Sequence, residues 1–430
     1  MAREMKDSGI EWIGEMPKEY RVYRLKHLLR KPLDYGANSS GVEYLDNLPR
    51  YIRITDIAAD GKLKNDGALS IELEDTSPYL LEDGDILFAR SGATVGKSFI
   101  YYAEYGRAAF AGYLIRAQLN EKIVPEYVYY YTCSTGYEIW KNGIFIQSTI
   151  QNISADKYAN LPIVLPDTKD EQMRIARILK YVSIELDNVF EKTRASIEEY
   201  KKLKQAVITQ AVTKGVRGNR EMKDSGIEWI GEIPTEWEVS QVKYLLKWKS
   251  EKGQPQEDVL SLYRDYGIIP KDSRDDNHNV TSLDTSGYKV VDIGDFVINK
   301  MKAWQGSMAV SEYRGIISPA YHVCEFTNDK INRKYFHYLM RNKSYIPEYT
   351  RLSTGMRVGQ WDLGFDDFKN IPFLLPSQEE QQEIVNYLAQ KCSAIDELII
   401  KKEQYLSEIE NYKKSFIYEY VTGKKEVPQE

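Results

Sequence analysis

One segment occurs twice. Glu4 to Pro17 reads EMKDSGIEWIGEMP, and Glu221 to Pro234 reads EMKDSGIEWIGEIP, so that only Met16 and Ile233 differ. A long internal repeat has to be read before any local motif, because it dictates the architecture that carries the motifs. The likeness fades into KEYRVYRLKHLL (Lys18 to Leu29) against TEWEVSQVKYLL (Thr235 to Leu246), where the apolar positions persist and the rest drifts. A second pair of landmarks, NLPIVLP (Asn160 to Pro166) and NIPFLLP (Asn370 to Pro376), follows at nearly the same offset. The chain therefore reads as two halves built on one plan.

Each second landmark leads into a helix. Thr168-x-x-Glu171 and Ser377-x-x-Glu380 are capping boxes, in which the hydroxyl accepts from an orphan N–H and the Glu reaches back to the cap. Apolar residues then alternate at spacings of three and four: Ile175, Leu179, Val182, Leu186, Val189, Leu203 and Val207 in the first copy, and Ile384, Leu388, Ile395, Leu398, Ile409 and Phe416 in the second. This is the seam of a coiled coil, interrupted by Thr193 and Ser196 in one copy and by Lys391 and Lys402 in the other. Gly215 and Gly423 follow the two helices as C′ residues. At 1.5 Å per residue, about 45 residues make a rod of about 65 to 70 Å. Two such helices in one chain bury their seams most simply by pairing antiparallel, which would relate the halves by an approximate two-fold axis.

The expected organisation is a first globular domain over 1–167, a helix over 168–215, a second globular domain over 216–376, a helix over 377–423 and a tail over 424–430. The fold class is α+β. Within the domains, DGDILFARSGATVGKSFIYY (Asp83 to Tyr102) pairs with IGDFVINKMKAWQGSMAV (Ile293 to Val310), matching Arg90 to Lys300 and Gly96 to Gly306. Tyr113 aligns with Tyr321, and helices are expected around Pro125 to Thr132 and Asn332 to Met340. Residues 34 to 80 and 250 to 290 do not align, as if one frame carried two different readers.

No active site assembles. Gly96-Lys97-Ser98 ends like a P-loop, but Ser91 stands where the first glycine belongs, and the SFIYY that follows reads as strand rather than helix. The chain has no Pro-Pro dipeptide for an amino-methyltransferase loop, and His27, His278, His322 and His337 lie scattered without a nucleophile. Cys133, Cys324 and Cys392 are far apart, with no C-x-x-C, which argues against a disulfide framework and a zinc site and fits a reducing cytoplasm. No apolar run approaches the ~20 residues needed to span a bilayer.

Lys+Arg 58 against Asp+Glu 64 give a net charge of −6, so any contact with nucleic acid must come from local patches. Positives interleaved with Tyr and Phe run from Lys330 to Arg357 against one acid, Glu348, and Arg90, Lys97, Arg107 and Arg116 face only Glu104. Polar loops rich in Ser, Thr, Gln and Asn, IQSTIQNIS (Ile146 to Ser154) and STGMRVGQW (Ser353 to Trp361), precede each helix, and Gln and Asn can read adenine where Arg reads guanine. The candidate DNA contacts are Arg90, Lys97, Gln147, Thr149, Gln151, Lys300, Lys302, Gln305, Arg357 and Gln360. Trp12 and Trp229 of the repeated GIEWIGE segments are expected to pack against the rod. A tandem adaptor whose domains bind proteins or peptides is the competing class, and the salt dependence of binding separates the two.

With repeated GIEWIGE starts, two divergent globular regions and two helices led by Glu171-Gln172 and Glu380-Gln381, the chain resembles the DNA specificity (S) subunit of type I restriction–modification systems. That resemblance implies two target recognition domains joined by an antiparallel coiled coil, and no catalysis by the subunit itself. It implies double-stranded DNA, two methyltransferase subunits and two restriction subunits as partners. S-adenosylmethionine, ATP and Mg would reside on those partners only. The target would be bipartite, with different half-sites and a gap set by the rod.

Overall fold

The computed structural model describes residues 3–427 apart from 59–60, 93, 147–150, 265, 274–283 and 356–360. It divides into two compact units: Met1–Ala195 with Lys402–Glu430, and Ser196–Lys401.

In the first unit the repeated segment is a hairpin, Met5–Asp7 against Glu15–Pro17. The strand Arg21–Arg24 then pairs antiparallel with Pro162–Leu165, the first landmark. Between them lies a four-stranded sheet in the order Asp34–Tyr35, Leu114–Ala117, Ile86–Ala89 and Ser98–Ile100. Ile86, Leu87, Phe88 and Ala89 are all fully buried, as befits a strand covered on both faces. A second sheet joins Ala108–Phe110, Arg50–Ile52, Leu69–Ser70 and Val42–Glu43, with the first two strands parallel. Helices α1 (Pro125–Tyr131), α2 (Thr135–Ile146) and α3 (Ala155–Ala159) follow.

The second unit repeats this frame. Its hairpin is Met222–Asp224 with Glu232–Pro234, Glu238–Gln241 pairs with Pro372–Leu375, and the four-stranded sheet runs Leu246–Lys249, Tyr321–Phe326, Phe296–Asn299, Met308–Val310. The units part where the sequences could not be aligned. In place of the mixed sheet stand two antiparallel ribbons, Leu260–Tyr263 with Gly267–Pro270 and Lys289–Val291 with Gly315–Ile317.

Two long helices complete the units: α4 (Lys169–Lys214), and α8 (Gln378–Val421), which follows α5 (Arg333–Met340), α6 (Ile346–Leu352) and α7 (Phe365–Phe368). In the first unit the start of α4 packs antiparallel with the end of α8, where Lys413 Nζ meets the Asp187 carboxylate at 2.6 Å. In the second unit the end of α4 packs likewise with the start of α8, where Lys204 meets Asp396 at 2.7 Å. Gly215 and Gly423 sit at φ +77 and +71, the left-handed conformation that ends a helix without a Cβ penalty.

The burial stripe on these helices departs from the expected seam. Ile175, Leu179, Ile384, Leu388, Ile395 and Ile409 are buried and Val182, Leu186, Val207 and Phe416 half-buried, but Val189, Leu203 and Leu398 are exposed. The stripe passes instead through Ser183, Thr193, Ile197 and Ile208, all buried. Thr193, expected to interrupt the seam, lies within it. Small hydroxyl residues tolerate such positions because the side chain can bond to its own helix, as Thr209 does to the Gln205 carbonyl at 2.9 Å.

Candidate nucleic-acid interface

Each unit is held by the same clasp. Glu171 and Glu380 start the long helices, and their backbone N–H groups donate to Thr168 Oγ1 and Ser377 Oγ at 3.3 Å, as a capping box requires. The carboxylates do something else. Glu171 Oε1 accepts from Tyr20 at 2.7 Å and from Arg3, while Glu380 accepts from the Trp237 indole N–H at 3.0 Å and from Arg220. The same arginines pair with Glu19 and Glu236. The adjacent glutamines fix the other side of each frame: Gln172 Oε1 accepts from the Val124 N–H at 2.9 Å, and Gln381 Oε1 from the Asn332 N–H at 2.6 Å. The Glu-Gln dipeptide thus ties the segment that precedes each domain, and the helix inside it, to one long-helix N-terminus.

The repeated tryptophans pack within this frame. Tyr418 near the end of α8 donates to the carbonyls of Trp12 and Ile13 at 2.9 and 3.0 Å. Trp229 lies edge-on to Tyr345, with centroids 4.5 Å apart.

On this scaffold the loop between Ile86–Ala89 and Ser98–Ile100 is the hairpin that carries Arg90. It makes a tight turn at Gly96, φ +84. Arg90 donates its N–H to the Tyr113 carbonyl at 3.0 Å and accepts at its carbonyl from Ile153 N–H at 2.9 Å. Its guanidinium lies over the Tyr35 ring, 5.1 Å from the centroid, and the Tyr35 hydroxyl is itself fixed by the Ala155 N–H at 3.2 Å. Tyr35, Gly36, Asn38, Arg90, Ser91, Gly112, Tyr113 and Asn152 line a groove of about 460 Å³. Its floor needs glycine: a Cβ on Gly36 would stand 2.3 Å from the Phe110 carbonyl oxygen. Tyr113 is 67% exposed at the rim, and Gln151, next in sequence to Asn152, is exposed.

Lys97 points elsewhere. Its ammonium donates to the Ala58 carbonyl at 2.6 Å and the Ile57 carbonyl at 3.2 Å, pinning the neighbouring loop. Arg116, counted in the basic patch, is buried and bonded to Asp34 and to the carbonyls of Leu80 and Pro78.

In the second unit the Lys300 carbonyl accepts from the Leu363 N–H at 3.0 Å, which makes Lys300 the counterpart of Arg90. Its ammonium pairs with Asp362 at 3.4 Å. The strand register shifts one expected equivalence: Ala89 faces Leu114 and Asn299 faces Tyr321, so Tyr321 matches Leu114, and Tyr113 matches Ala320. Since strand side chains alternate faces, that single step explains why Tyr113 is exposed and Tyr321 is not. Lys302 is exposed, and the Gln305 carboxamide oxygen accepts from Arg264. Trp248, half exposed, stands edge-on to His322 with the Lys289 ammonium 5.7 Å from its ring centroid. Burial, then Lys300 and Lys252, holds the Lys289 ammonium below its usual pKa, so three lysines converge here. Burial, then Lys289, lowers the pKa of the His322 imidazole from its usual value. In the Lys330 to Arg357 patch, Arg351 is paired with Glu348 at 2.7 Å and Lys334 with Glu312 at 3.8 Å.

Gln147, Thr149, Arg357 and Gln360 lie outside the described residues. Tyr35, Asn38, Trp248 and Asp362 were not legible as site residues, whereas Asn152 lies in the polar loop Ile146 to Ser154 that supplied Gln147, Thr149 and Gln151. Tyr35 and Asn38 lie in the segment that could not be aligned, and Trp248 and Asp362 reach the site only through strand pairing.

These features agree with the relatives. The family described as "Type I restriction modification DNA specificity domain" matches residues 44–199 and 234–411. A protein of Methanocaldococcus jannaschii, provisionally named as the type I restriction enzyme MjaX specificity subunit, is 28% identical over 96% of this chain and 95% of its own length. The MjaVIII specificity subunit of the same organism is 23% identical over 80% of each chain. Among solved structures, a chain from a study of complex assembly and conformational transition of a type I restriction–modification system has a TM-score of 0.69 at 15% identity, covering 95% of this chain and 99% of its own. The HsdS subunit of Thermoanaerobacter tengcongensis has a TM-score of 0.51 at 17% identity over 95% and 98%. With two matching α+β units on two long helices, the chain belongs to the type I restriction–modification DNA specificity family, as a non-catalytic subunit that selects the DNA sequence.

Proposed function

We propose that each unit reads one half of a bipartite duplex target and that the half-sites differ. The observation that carries this reading is the pair of matched hairpins on one frame, Arg90 in a tyrosine-lined groove and Lys300 beside an aspartate and a tryptophan. Equivalent positions with unlike chemistry suit two readers of unlike sequence. Phosphate contacts would set the register and base-edge contacts would give the specificity.

The long helices would fix the separation of the half-sites, and hence the length of the unread gap. Two methyltransferase subunits and, for cleavage, two restriction subunits would assemble on this chain, in the cytoplasm. S-adenosylmethionine, ATP and Mg would be held by those partners and not by this subunit. No helix among the described residues is long and apolar enough to cross a membrane. The net charge of −6 fits a subunit whose partners supply part of the phosphate binding.

The test is the affinity of the subunit assembled with its methyltransferase for a duplex target, followed against salt. The reading expects log K to fall linearly with log salt, by about 0.9 per phosphate neutralised, and cognate binding to exceed non-specific binding at least about 10³-fold. Salt-independent binding, or binding blind to sequence, would overturn it in favour of a protein-binding adaptor.

A further inference from the structure

The matched backbone bonds, Ile153 N–H to the Arg90 carbonyl and Leu363 N–H to the Lys300 carbonyl, place Asn152 and Asp362 at corresponding positions as well. The two units therefore carry the same couple in two charge states. In the second, cation and carboxylate neutralise one another, Lys300 with Asp362 at 3.4 Å. In the first, the partner is an uncharged amide. Arg90 has no carboxylate partner among the described residues, and its guanidinium is oriented by the face of Tyr35, 5.1 Å away. The Asn152 Oδ1 is covered and accepts no hydrogen bond among the described residues. Both residues line the groove of about 460 Å³, in which a base edge would meet the guanidinium.

Resting on the reading of the units as DNA readers, we propose that Arg90 is the base-reading element of the first unit and selects a guanine, its guanidinium left free because the neighbouring position is the uncharged Asn152, and that the Lys300–Asp362 couple withholds the equivalent cation in the second. The planar guanidinium presents two parallel donors to guanine O6 and N7, the base edge with two acceptors in the major groove. The Tyr35 ring keeps that fork in one orientation, so little rotational freedom is lost on binding. Replacing the amide by a carboxylate would turn the donors toward the protein, as Asp362 does to Lys300. The difference between the half-sites would then arise in part from one amide-to-acid exchange on a shared frame.

The experiment uses the subunit assembled with its methyltransferase, and its target with every base pair of both half-sites substituted in turn. In the wild type, one G·C pair of the half-site read by the first unit should carry a penalty of about 5- to 150-fold on substitution. In Arg90→Ala that penalty should shrink to about twofold or less while all other penalties persist. Asn152→Asp should do the same by engaging the guanidinium, whereas Asn152→Ala should keep the penalty. Asp362→Asn should free Lys300, strengthen binding and steepen the salt slope by about one phosphate contact. An unchanged profile in Arg90→Ala and Asn152→Asp overturns the proposal, as does a uniform loss across that half-site, which marks a residue that only holds the unit together. A wild-type complex with no base-dependent penalty at all would overturn the underlying reading too.

Discussion

Tyr127 donates its hydroxyl to the carbonyl of Val421, 2.7 Å away and 294 residues on in sequence. The same hydroxyl bonds to the Val164 carbonyl at 2.9 Å, so one phenol ties the first domain, its closing strand and the end of the second long helix together. Tyr335 does the corresponding work in the second unit, reaching the Leu374 carbonyl at 3.1 Å and that of Val212 at 3.4 Å. Each recognition domain is completed by the terminus of a helix that began elsewhere in the chain.

Removing residues 402–430 should therefore unfold the first unit and spare the second. The core of the first unit includes Ile417, Tyr420 and Val421, all buried. At about 1.5–3 kcal/mol for each large apolar side chain, their loss approaches the roughly 5–15 kcal/mol that holds a domain together. Amide exchange should report lost protection in Ile86–Ala89 and retained protection in Phe296–Asn299. Protection retained in both would contradict this assignment.

The clasps should differ in strength. Arg220 and Glu380 have side chains only 9% and 3% exposed, against 26% and 10% for Arg3 and Glu171. Breaking a buried pair by removing one partner costs about 3–5 kcal/mol, because the surviving charge is left uncompensated. Glu236 still pairs with Arg220, so Glu380→Ala should approach only the low end of that range in thermal unfolding, with Glu171→Ala clearly below it because water reaches Arg3. Equal effects would mean the aromatic partners, rather than the ion pairs, carry the clasps.

The repeat, the two helices, their glycine stops and the hydroxyl caps were all legible in the sequence, because each depends on local spacing. The clasp was not. Glu171 and Glu380 look like the acids of capping boxes, yet their carboxylates turn to Arg3 with Tyr20 and to Arg220 with Trp237, residues brought to them by tertiary folding. Reading the seam by apolar identity missed Ser183 and Thr193, whose position outweighs their polarity. Lys97 and Arg116 show the limit of counting charges: both are spent on carbonyls or acids inside the protein. The matched pairs Arg90–Asn152 and Lys300–Asp362 emerge only from strand register.

His337 should make the second unit acid-labile. Burial, then Arg341 and Lys334, lowers its pKa from 6.5 to about 3, and its Nδ1 accepts from the Val310 N–H at 3.2 Å. The unfolded chain takes up the proton below about pH 6.5 while the folded unit does not, so stability is full above that pH and falls as pH drops toward 3. The ring is only half-buried by surface area, so a loss of about 1 kcal/mol between pH 6.5 and 5 is expected, at the low end for such a shift. His337→Gln, which keeps an acceptor without a titrating ring, should flatten the dependence of melting temperature on pH over that range. An unchanged slope would contradict the assignment.

The gap should follow helix length. Seven residues inserted in α4 between Asp187 and Lys204, with seven in α8 between Asp396 and Lys413, preserve the heptad phase and add about 10 Å. At 3.4 Å per base pair the unread gap should lengthen by about three base pairs, with both half-sites unchanged. A constant gap would contradict the proposal that the long helices set its length.

The most direct measurement is a genome-wide map of methylated adenines in cells carrying this subunit with its methyltransferase partner, against cells lacking the subunit. A single bipartite motif with two different half-sites, present only with the subunit, is the predicted result. An unchanged map, with the methyltransferase expressed and active, would contradict the assignment of sequence recognition to this chain.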